Sequence, residues 1–86
     1  MKVAYTKHAL EKFKKLELEG WFITKFKIRQ TIRNPLWVGI SRDGQEVVIS
    51  LIDQKHILRL VLDRKNDIIK VITFHIGKRG RYGTTL

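Results

Sequence analysis

A single α+β domain over residues 1–86, with two N-terminal helices packed on a four-stranded antiparallel meander sheet, is the fold class the sequence predicts. Three observations predict it. Apolar residues recur at helical spacing before Pro35; after it they alternate or run in strand-length pieces; and short turn-forming segments separate those later pieces. No repeat, low-complexity tract or linker divides the chain.

The first helix opens at Thr6, an N-cap residue, with Tyr5 before it and Leu10 placed to form a hydrophobic staple. Ala9, Leu10, Phe13 and Leu16 make one apolar stripe, and the helix stops by Gly20. Thr24 caps the second helix, with Ile23 and Ile28 as its staple. Ile28, Thr31 and Ile32 share a face, and Asn34-Pro35 ends the element because residues before proline avoid the helical region. Phe26 lies off that face and is expected to pack against the first helix or Trp21.

Four strands follow, at 37–41, 46–53, 56–63 and 68–76. Arg42-Asp43-Gly44, Asp53-Gln54-Lys55 and Arg64-Lys65-Asn66-Asp67 supply the turns, and turns this short favour antiparallel neighbours. A basic C-terminal tail, 77–86, completes the chain.

Charge sets the functional classes in play. Lysine and arginine total 18 against 8 acids, a formal net charge of +10. Such an excess repels itself in the compact state and attracts polyanions by counterion release. Nucleic acid, an anionic surface and an acidic protein are the candidate partners. There is no cysteine, so neither a disulfide nor a thiolate metal site can form. The three histidines lack close ligand spacing, and neither a metal nor another cofactor is expected. The N-terminal residues lack the apolar run of a secretory signal and no segment reaches membrane-span length, so a cytoplasmic protein with no membrane partner is expected.

Strand alternation sorts the candidate site residues. In the third strand His56, Leu58, Leu60 and Leu62 share one side, expected to face the helices, and Ile57, Arg59, Val61 and Asp63 share the other. A mid-strand arginine among aliphatic residues needs an anion near it. A salt bridge to Asp53 or Asp63 and a phosphate-binding role both meet that need. In the fourth strand Ile69, Val71, Thr73 and His75 are expected on one side, with Ile68, Lys70, Ile72, Phe74 and Ile76 on the other. Thr73 and His75 then lead into Lys78, Arg79, Arg81 and Tyr82, a group suited either to a phosphate or simply to solvent. His8 falls in the first turn of the first helix, where free N–H groups favour anions and the dipole lowers an imidazole pKa. Lys12 is one turn further along that face. A histidine there is also an ordinary surface residue.

The order His8-Ala9-x-x-Lys12, Ile23-Thr24-x-x-x-Ile28-x-x-Thr31-Ile32-x-Asn34-Pro35, Arg59, and Val71-Ile72-Thr73 leading into Lys78-Arg79-x-Arg81-Tyr82 resembles small proteins related to the RelE and BrnT toxins. These belong to the wider barnase–colicin–RelE ribonuclease fold. The resemblance spans nearly the whole chain on short motifs. Family members typically carry arginine where this chain has Lys12, and they reach the second helix without the extra Glu17-Leu18-Glu19-Gly20-Trp21. The first change keeps the charge but loses the bidentate fork.

The resemblance implies the toxin of a toxin–antitoxin system, a metal-free endoribonuclease in which the RNA 2′-hydroxyl attacks the adjacent phosphate. For that chemistry the residues themselves offer His8, Arg59, His75, Arg81 and Tyr82 as catalytic candidates and Lys12, Thr73, Lys78 and Arg79 as RNA-binding ones. RNA, including ribosome-bound mRNA, and an acidic antitoxin are the implied partners. A non-catalytic nucleic-acid-binding module and an interaction protein on the same fold are the alternatives.

Overall fold

A computed structural model of the protein describes residues 1–80. The elements in order are β1 (Lys2–Tyr5), α1 (Lys7–Leu18), α2 (Lys25–Arg33), β2 (Trp37–Ile40), β3 (Glu46–Leu51), β4 (His56–Lys65) and β5 (Ile68–Lys78). The α+β class and both helices agree with the expectation. The sheet does not. It has five strands in the order β1-β5-β4-β3-β2, and β1 runs parallel to β5, so the expected four-stranded antiparallel meander becomes a five-stranded mixed sheet. The four-residue β1 carries no strand signal of its own; its pairing partner lies at the far end of the chain, from Lys2 opposite Ile68 to Tyr5 opposite Val71. The rest of the sheet is the antiparallel run β2-β3-β4-β5. Gly77 and Lys78, expected in the tail, belong to β5. Arg81 and Tyr82, with the rest of 81–86, lie outside the described residues.

Both helices begin as their sequences dictate. Thr6 Oγ1 accepts the Ala9 N–H at 3.0 Å and Thr24 Oγ1 accepts the Lys27 N–H at 3.0 Å, each satisfying an orphan donor of the first turn. The Thr6 hydroxyl also donates to the Ile72 carbonyl at 2.7 Å, and the Thr6 N–H reaches the Val71 carbonyl at 3.1 Å. The start of α1 is thereby pinned to β5 just where β1 ends. Leu10, expected on the apolar stripe, is exposed, as is Phe26 at 74 %, which packs neither on α1 nor on Trp21 as expected. Ala9 and Leu16 carry the buried side of α1, with Phe13 packed beside them.

The helix-side core joins those residues to Ile28 and Ile32 of α2 and to Val48, Leu58, Leu60, Leu62, Ile69, Val71 and Phe74 of the sheet. Phe74 is fully buried, with its ring 4.8 Å from that of Phe13. Each such aliphatic or aromatic side chain contributes roughly 1.5–3 kcal/mol when removed from water. Thr31 and Ser50 are the buried polar exceptions among the described residues. Thr31 donates to the Lys27 carbonyl at 2.8 Å, and its oxygen meets Ser50 Oγ at 2.7 Å.

One irregularity in the sheet decides where the candidate site lies. Val61 pairs with Thr73 but Leu62 pairs with Val71, so Ile72 is an extra residue on β5. A bulge reverses the alternation beyond it. Ile69 and Val71 face the helices, and so does Phe74, which simple alternation placed on the other side. Ile72 packs in a second apolar cluster on the opposite face, with Val47, Ile49, Ile57 and Val61. Thr73 and His75, opposite Val61 and Arg59 in the register, share that face. The face that bears Arg59 is therefore a second packed cluster, bordered by Trp37 and Leu51. Among the described residues, no helix is long and apolar enough to cross a membrane.

Candidate functional site

The register places Arg59 of β4 directly opposite His75 of β5. The bulge is what makes this possible, since without it His75 would point into the helix-side core. β1 reaches only as far as Val71 along β5, and α1, tethered there by Thr6, packs over the segment beyond. Lys12 of α1 consequently lies beside His75, its Nζ 3.3 Å from Nδ1 of the imidazole. An ammonium can only donate, so Nδ1 accepts and the neutral ring carries its hydrogen on Nε2.

His75 is half-buried, and burial is the first cause holding its imidazole below the ordinary value near 6.5. The charges of Lys12, Arg59, His8 and Lys15 act in the same direction, in that order. Four cationic or cationisable groups thus converge on one imidazole. His8, Lys12 and Lys15, at helical spacing on one face of α1, line a depression of about 330 Å³ together with Glu11. The first turn of α1 holds no acid, so its free N–H groups are not offset by a side-chain carboxylate.

Arg59 lines a second depression of about 320 Å³ with Trp37, Ile40, Ser41, Arg42, Val47 and Ile49. Trp37 lies across Gly39, where a β-carbon would come within 2.1 Å of the indole. That glycine leaves room for the ring to lie over its own strand. Of the two acids expected as partners for Arg59, Asp53 is engaged by the Lys55 N–H and by His56. Thr73 Oγ1 is buried without a hydrogen-bond partner among the described residues.

The sequence candidates therefore divide. His8, Lys12, Arg59 and His75 come together, with Thr73 next along β5 on the same face as His75. Lys78 and Arg79 do not join them. They line a cleft at the end of the sheet with Gln54, Lys55 and His56. Arg81 and Tyr82 lie outside the described residues. Lys15 was missed, although its place one turn beyond Lys12 on the face of His8 is readable from spacing alone. The pair formed by Asp53 and His56 was missed as well; an aspartate opening a turn and a histidine three residues later is its only local signal. Among the described residues, no group of three or more histidine, aspartate or glutamate side chains is placed to hold a metal ion.

No protein-family profile, curated protein or solved structure matches the chain.

Proposed function

We propose that the protein is an RNA-cleaving toxin whose reaction centre is the group of His8, Lys12, Arg59 and His75. The observation that carries this reading is the imidazole of His75, half-buried, held neutral and surrounded by cations at a sheet edge. Cleavage of RNA through its own 2′-hydroxyl needs three things: a base for that hydroxyl, a proton for the departing 5′-oxygen, and positive charge for the phosphorane between them. His8 is the base. The bond from O2′ to phosphorus forms as the 2′-proton passes to its imidazole. His75 serves the other side. As the P–O5′ bond breaks, Nε2–H protonates the leaving oxygen while Nδ1 takes a proton from the Lys12 ammonium. Arg59 and Lys15 carry charge toward the non-bridging oxygens. The products are a 2′,3′-cyclic phosphate and a 5′-hydroxyl; His8 gives its proton to solvent, Nε2 of His75 takes one from solvent, and Nδ1 returns its proton to Lys12.

The formal charge of +10 supports a polyanionic substrate and, as the covering partner, an acidic antitoxin protein. The preference for RNA over DNA comes from the resemblance to RelE- and BrnT-related proteins, because charge alone attracts both. Purified protein is incubated with an RNA, free and ribosome-bound, and with the same RNA carrying a single 2′-deoxy residue at the cut site. Cleavage of the first and not the second is expected. Equal cleavage of both, or binding without products in every arm, would instead identify a different chemistry or a non-catalytic binding module.

A further inference from the structure

The cleft that received Lys78 and Arg79 is a built feature, not a loose end of the chain. It encloses about 410 Å³ between the β3–β4 turn and the end of β5, lined by Gln54, Lys55, His56, Lys78 and Arg79. The two sides are tied together: the Arg79 N–H donates to the Lys55 carbonyl at 2.9 Å, and Arg79 Nη1 donates to the Gln54 carbonyl at 3.4 Å. Inside the turn, Asp53 Oδ1 accepts the Lys55 N–H at 2.7 Å. The same carboxylate meets His56 Nδ1 at 2.9 and 3.0 Å through its two oxygens.

These contacts fix the chemistry of the ring. The Lys55 N–H first, and the His56 contacts after it, hold the Asp53 carboxyl below its ordinary range, so at neutral pH it is ionised and can only accept. Nδ1 of His56 therefore carries a hydrogen in both ring states. Nε2 carries one only when the ring is protonated. Trp21 packs edge-on to the imidazole with ring centres 4.7 Å apart, which restricts its turning. The charged groups around the ring are Asp53 and Lys55 from the turn and Lys78 and Arg79 from the end of β5; Trp21, between the helices, contributes none.

We propose that this cleft binds a phosphate group, with Lys55, Lys78 and Arg79 supplying charge and His56 a directed Nε2–H donor. Asp53 is a positioning residue: it fixes which nitrogen faces the anion. Only the imidazolium presents Nε2–H, so the charged ring is the form that meets the anion. The phosphate is either free on a nucleotide or part of an RNA strand whose scissile bond lies at His75. The RNA-cleaving reading bears only on that second source.

The test is a titration of the isotopically labelled full-length protein, followed by amide and imidazole NMR signals. The probes are inorganic phosphate, adenosine 5′-monophosphate and an eight-nucleotide 2′-O-methyl RNA, which cannot be cleaved. Saturable shifts are expected at Lys55, His56 and Arg79. His56→Ala and Asp53→Asn should each weaken phosphate about tenfold, the scale of one charge-assisted hydrogen bond. Asn keeps an acceptor for the Lys55 N–H, so its effect is not that of a broken turn, and Lys65→Ala at the far end of β4 should change nothing. Tighter binding of the oligonucleotide than of the monophosphate assigns the site to an RNA backbone; the reverse order assigns it to a nucleotide. Unsaturable shifts, or equal affinity in wild type, His56→Ala and Asp53→Asn, would overturn the proposal. Loss of RNA cleavage with cleft binding intact would count against the catalytic reading alone.

Discussion

Lys12 of α1 and His75 of β5 are 63 residues apart in sequence, yet Nζ of one lies 3.3 Å from Nδ1 of the other. The contact requires two independent devices. The bulge at Ile72 turns His75 away from the helix-side core, and Thr6 anchors α1 at that same bulge. The Lys12–His75 pair is thus a property of the fold as a whole and a sensitive reporter of it.

Replacing Lys12 by methionine keeps the aliphatic stem and removes the charge. The pKa of His75 should rise toward its ordinary value, because a cationic neighbour opposing imidazole protonation is gone. The rise should be incomplete, since burial is the larger cause and remains. Titration of the His75 ring protons by NMR measures it. An unchanged titration would mean that Lys12 does not approach the ring in solution.

The same depressed pKa makes stability depend on pH with a definite sign. Below about 6.5 the unfolded chain protonates His75 while the folded protein resists until a lower pH. In that interval the unfolded state binds more protons, so His75 makes stability rise with pH and level off above it. Urea midpoints taken between about pH 5 and 8 should show this slope, and His75→Gln should flatten it.

Thr6→Val should cost about 1–2 kcal/mol, the upper part of the N-cap range, because both the Ala9 N–H and the Ile72 carbonyl lose a partner. Thr24→Val removes only a cap at an exposed helix start. Denaturant midpoints should rank Thr6→Val as the more damaging. Only Thr6→Val should also move the His75 titration, since of the two caps only Thr6 is hydrogen-bonded to β5.

In the buried Thr31–Ser50 pair, Thr31 spends its single hydrogen on the Lys27 carbonyl, so Ser50 must be the donor between the two hydroxyls. Thr31→Val strands that donor and should cost about 1–3 kcal/mol. Adding Ser50→Ala removes the orphan and should recover much of the loss. A double-mutant cycle on unfolding free energies tests the coupling; strict additivity would contradict it.

Both helices were legible because their signals are local: Thr6 and Thr24 as caps, and apolar residues at helical spacing. The antiparallel run was legible because short turns dictate it. β1 was not, because four residues acquire a strand's identity only by pairing with β5. Alternation identified the side of β4 that bears Arg59, where the ladder is regular between Glu46 and Leu62, and failed on β5 beyond Val71, where one extra residue reverses every later side chain. His75 was named as a candidate and grouped with Ile69 and Val71 for that reason, whereas the bulge puts it on the other face. Lys78 and Arg79, expected in a tail directly after the strand, were grouped with His75 by proximity in sequence. The turn that draws them toward Lys55 and His56 is a tertiary contact that spacing cannot express.

The most direct test of the proposed chemistry is the yield of 2′,3′-cyclic phosphate ends from RNA treated with wild-type protein and with folded His75→Ala. General acid–base catalysis is worth about 10²- to 10⁴-fold, so the variant should lose at least about a hundredfold in cleavage rate while retaining most of its RNA affinity. Cleavage at the wild-type rate by His75→Ala, or RNA ends that bear no cyclic phosphate, would contradict a reaction centred on His75.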